Sequence, residues 1–84
     1  MEYTKSQMLN EIDRIKQRIY RELDFETRKA IMYRQIELMD ETGINKTKAG
    51  VQRYYLTKNA SKKQVDDYLT TLINASYDIT GSCL

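Results

Sequence analysis

Histidine and proline are absent from this 84-residue chain, cysteine occurs once and glycine three times. Each scarcity closes off a class of protein. Without histidine the chain lacks the commonest general base and the commonest metal ligand. With Cys83 as its single thiol it offers neither an internal disulfide nor an ordinary zinc spacing. Gly43, Gly50 and Gly81 lie too far apart for a phosphate-cradling loop. No apolar run approaches the ~18–20 residues of a membrane span. The opening Met1-Glu2-Tyr3-Thr4-Lys5 lacks the basic-then-apolar order of a secretory signal. A cytoplasmic protein with no cofactor, no metal and no membrane contact is the expectation.

What the chain does contain favours helices. Glu, Lys, Arg, Gln, Leu, Met and Ala are plentiful, with 40% hydrophobic and 31% charged residues. A chain this short buries only about 60–65% of the surface its unfolded state exposes, so homodimerisation would help it. The expected fold is all-α: one domain over residues 1–84, a compact bundle of about four short helices at approximately 5–23, 25–42, 45–57 and 62–78. Residues 79–84 are expected to form a frayed tail.

The first helix rests on Met8, Ile12, Ile15, Ile19 and Leu23, which recur at helical spacing. A second apolar stripe, Phe25, Met32, Ile36 and Met39 with Ile31 and Leu38 at its edges, is out of phase with the first. Ile19 and Met32 would stand about 140° apart on one straight helix. A break near Leu23-Asp24, with Asp24 capping the new N-terminus, brings both stripes to one core. A single long helix with two binding faces is the alternative. Gly43 then supplies a stop. Residues 45–57 read as a helix with Ile44, Val51 and Tyr55 on one side, or as a strand over 51–57 that lacks a partner. The last helix opens on Ser61-Lys62-Lys63-Gln64, a capping box, and buries Val65, Tyr68, Leu69, Leu72 and Ile73.

Carboxylates cluster at Glu22/Asp24/Glu26, Asp40/Glu41 and Asp66/Asp67. Neighbouring acids on a helix point about 100° apart and do not converge, so they read as caps and solvated faces. An enzyme is not expected.

Between Thr42 and Val65 there is no acidic residue, whereas Lys46, Lys48, Arg53, Lys58, Lys62 and Lys63 are all basic. The net charge of +2 hides this concentration, because the flanking regions are acidic. A local positive field calls for an anionic partner. If 45–57 is helical, Lys46 and Arg53 flank a floor of Ala49 and Gly50 that another backbone could approach closely. Gly43-Ile44 followed by 45–56 partly fits a helix-turn-helix, although Val51 stands about two positions late for its core anchor. Two functions follow. In the first, a small non-enzymatic regulatory protein binds duplex DNA. Lys46, Lys48, Arg53, Lys58, Lys62 and Lys63 contact phosphates, and Asn45 and Gln52 reach base edges. In the second, a protein-binding inhibitor or adaptor sets the same segment against an acidic protein surface, its tyrosines and methionines supplying the contact area.

Overall fold

The computed structural model of the chain describes residues 3–42 and 60–82. Within them the only regular elements are three helices: α1 (Lys5–Glu22), α2 (Phe25–Thr42) and α3 (Lys62–Thr80). The all-helical class agrees with the sequence reading. The Gly43 stop, the expected helix at 45–57 with its strand alternative, and the Ala49-Gly50 floor lie outside the described residues.

α1 begins where its N-cap can satisfy the free amides of a helix start. Thr4 Oγ1 accepts from the backbone N–H of Gln7 at 3.1 Å, and Gln7 Oε1 accepts from the N–H of Thr4 at 2.8 Å. Met8, Ile12, Ile15 and Ile19 are buried, as their spacing requires. Opposite them, Glu11 pairs with Arg14, and Arg18 with Glu22 at 2.9 Å. The helix ends at the expected break: Leu23 is extended, with its N–H donating to Ile19 O at 3.1 Å.

Asp24 restarts the chain as a helix. Its Oδ1 accepts from the N–H of Thr27 at 3.0 Å, and its carbonyl from the N–H of Arg28 at 3.0 Å. The Thr27 hydroxyl first, and the Thr27 N–H second, hold the Asp24 carboxyl below its ordinary pKa. A carboxylate whose pKa is lower folded than unfolded contributes stability that is complete above the unfolded pKa. That contribution is lost as pH falls through the lowered, folded value. Asp24→Asn caps without titrating. Thermal midpoints measured from neutral to acid pH should therefore fall less steeply for this variant than for the parent; parallel curves would remove Asp24 from the acid response.

The buried face of α2 differs from the expected stripe. Ile31, Gln35 and Met39, at steps of four, turn inward, whereas Phe25 is 64% exposed and Met32 and Ile36 are only half-buried. The reason is Gln35. Its amide Nε2 donates to Tyr68 O at 3.2 Å and to Thr71 Oγ1 at 3.4 Å, so a polar side chain sits satisfied within the interface. Thr71, also buried, in turn donates to Asp67 O at 2.9 Å and Tyr68 O at 3.0 Å.

α3 packs on both other helices, most extensively on α2. Its capping box is the expected one: Ser61 Oγ accepts from Gln64 N–H at 3.2 Å, and Gln64 Oε1 accepts from Ser61 N–H at 2.8 Å. Val65, Tyr68, Leu69 and Leu72 are buried, joined by Ala75. Arg34 on α2 reaches Asp78 on α3 at 2.9 Å. The expected frayed tail is corrected at its start, since Ile79 and Thr80 are helical. Gly81 closes the helix at φ 76°, donating its N–H to Tyr77 O at 2.7 Å. A Cβ there would meet no atom, so backbone conformation, not space, favours glycine.

Candidate docking surface at the α1–α2 corner

Of the residues expected to meet an anionic partner, Lys62 and Lys63 are described. Both stand exposed in the first turn of α3, and Lys63 Nζ lies 3.1 Å from Asp67 Oδ2. Asn45, Lys46, Lys48, Gln52, Arg53 and Lys58 lie outside the described residues. No helix among the described residues is long and apolar enough to cross a membrane. No group of three or more acidic, cysteine or histidine side chains among them is placed to hold a metal ion.

A different cluster stands out on the structure. The Leu23-Asp24 turn folds the end of α1 against the start of α2 and brings Tyr20 beside Phe25 and Arg28. Phe25, Arg28, Lys29, Met32 and Tyr33 follow at steps of three, one, three and one, which puts them along one outer strip of α2. Together with Tyr20 they line a shallow hollow of about 460 Å³. Tyr20 is 71% exposed and Tyr33 47%, so three aromatic rings project into solvent around it, counting Phe25.

Arg28 organises the cluster. Its guanidinium carbon lies 5.0 Å from the centre of the Tyr20 ring and 5.9 Å from that of Phe25, within cation–π range of both. Its Nε is buried with no hydrogen-bond partner among the described residues. Beneath Arg28 a smaller hollow of about 150 Å³ opens among the three helices, with Lys16, Tyr20, Gln35 and Tyr68 among its walls. Lys16 Nζ stands 5.0 Å above the Tyr68 ring. Neither hollow has an acidic residue in its lining. Both therefore present positive charge over apolar and aromatic surface.

Sequence reasoning missed this corner because Phe25, Met32 and Ile36 look like a core stripe when Gln35 is counted as a surface residue. The available signal was the interleaving of Arg28 and Lys29 with those apolar positions, immediately after a helix cap. A core face seldom carries two cations within one turn. Comparison with protein-family models, with curated proteins and with solved structures finds no match to this chain.

Proposed function

We propose that the chain is a non-enzymatic binding protein that docks on an acidic surface of a larger protein through the α1–α2 corner. The observation that carries this reading is the set of exposed rings, Tyr20, Phe25 and Tyr33, around a half-buried arginine. Aromatic residues, methionine and arginine are the side chains enriched at protein interfaces, and tyrosine and arginine carry a large share of their binding energy. A closed duplex is held mainly through its phosphates, and projecting rings add little to that contact. Single-stranded nucleic acid could use the rings, but Arg28 already lies over two of them. Duplex binding through residues 46–63 is the competing outcome of the test.

The test compares a random glutamate–tyrosine copolymer with short DNA duplexes and single strands. The parent protein should bind the copolymer. Tyr20→Ser together with Phe25→Ser should weaken that binding roughly tenfold or more, while the protein stays folded with only a modest loss of thermal midpoint, because both rings are exposed and give up little beyond their contact with Arg28. No copolymer binding, or binding indifferent to the two substitutions, sinks the docking reading. Duplex binding that survives them, with log affinity falling against log salt at a slope of roughly −4 to −5, would restore the basic segment as the functional surface.

A further inference from the structure

The smaller hollow bears on what the partner presents, and the inference rests on the docking reading above. We propose that it receives an acidic side chain of the partner, a glutamate or aspartate whose carboxylate meets Arg28 and Lys16 while its methylene stem lies on the apolar wall. The ligand class follows from charge, size and unmet hydrogen bonding together.

The cations of α1 and α2 differ in what they meet. Arg14, Arg18 and Arg34 are each in contact with a carboxylate of their own chain: Glu11, Glu22, and Glu37 with Asp78. Lys16 and Arg28 make no such contact ion pair among the described residues, and the Asp24 carboxylate acts on the Arg28 guanidinium only through space. Lys16 lies instead over the Tyr68 ring and Arg28 over those of Tyr20 and Phe25, and both line one hollow. An acid placed between them would complete charge-assisted hydrogen bonds that the fold leaves open.

Size and bonding narrow the choice. About 150 Å³ is the size of a cavity that takes one benzene-sized group, room for a carboxylate and its stem. The wall contributed by Ile19, Ile31 and Leu72 suits methylene groups and offers nothing to a small hydrated anion. Gln35 cannot serve the anion, because its amide nitrogen is committed to Tyr68 and Thr71. Arg28 Nε, a buried donor with no acceptor among the described residues, is the group with bonding capacity to spare. A small rotation of its guanidinium would turn that N–H to an arriving carboxylate.

Phenylbutyrate, a carboxylate on an apolar stem, is a probe for this site, and nuclear magnetic resonance of isotope-labelled protein reads it. Titration should move the Arg28 Nε–Hε signal saturably, together with the backbone amides of Ile31 and Gln35. Phenylbutyramide, with the same stem and no charge, should leave the Arg28 signal in place. Arg28→Gln should weaken phenylbutyrate binding about tenfold, whereas Arg28→Lys, which keeps the charge and loses the fork of donors, should fall between. Thermal midpoints establish that both variants are folded.

An unmoved Arg28 signal overturns the inference, as does an equal response to the amide. Inorganic phosphate moving the signal as strongly as phenylbutyrate also overturns it, because the hollow would then be an unselective anion patch. If copolymer binding still depends on Tyr20 and Phe25 in that event, only the acidic-side-chain site has failed. If the copolymer does not bind at all, the docking surface has failed with it.

Discussion

Ile15→Ala should cost the domain about 2–5 kcal/mol of stability, and Ile15→Val only about 0.5–1.5 kcal/mol. Ile15 is 1% exposed, at the middle of the buried face of α1 between Ile12 and Ile19. Removing three of its carbons forfeits their transfer from water and leaves a cavity that two flanking turns of helix cannot easily collapse. In a domain this small the total stability is only ~5–15 kcal/mol, so a single truncation removes a large share. Each kcal/mol should appear as a drop of roughly 4–8 °C in thermal midpoint. Urea unfolding of the three proteins gives the free energies directly. An unchanged midpoint for Ile15→Ala would mean that the α1 stripe faces solvent or a partner, and the three-helix packing would have to be abandoned.

Local rules determine α1 and the start of α3 more fully than they determine α2. α1 was legible because its apolar residues are separated by charged ones at strict helical spacing, and a wrong phase would bury Arg14 or Arg18. The Leu23-Asp24 break was legible for the same reason, since two stripes out of phase cannot share one straight helix. The capping box at Ser61 is a contact within four residues, and the chain needs nothing distant to form it. The box at Thr4 and Gln7 carries the same signature.

α2 was harder because its phase depends on partners more than thirty positions away. Nothing within residues 25–42 indicates that Gln35 belongs inside. That becomes clear only when the Tyr68 carbonyl and the Thr71 hydroxyl are brought against it. Once Gln35 turns inward, Ile31 and Met39 turn with it, and Phe25 and Tyr33 are carried out. The candidate surface was hidden by the same error, since Phe25 and Met32, two of its apolar members, read as part of the core stripe. Charge counting pointed instead to 46–63, where the excess of one sign is real but where only Lys62 and Lys63 fall among the described residues. Charge density along a sequence identifies a field. It does not identify the apolar surface that would turn a field into a specific contact.

The phase of α2 makes the second large effect a contrast between two substitutions on one helix. Ile31→Ala should destabilise the domain by about 2–5 kcal/mol, because Ile31 is 2% exposed and sits on the strip that Gln35 and Met39 continue. Phe25→Ala removes a larger side chain, yet it should cost no more than about 1 kcal/mol, close to what surface changes cost. Some loss is expected from the contact with Arg28, which at an exposed ring is worth about 0.5–1 kcal/mol at most. Binding to the glutamate–tyrosine copolymer should rank the variants in the opposite order. Under conditions where both proteins are folded, Phe25→Ala should bind several-fold more weakly and Ile31→Ala much as the parent does. Thermal melts beside binding isotherms decide the matter. If Phe25→Ala proves the more damaging to stability, α2 has the phase that its apolar pattern first implied, and the rings at the α1–α2 corner belong to the core instead of to a partner.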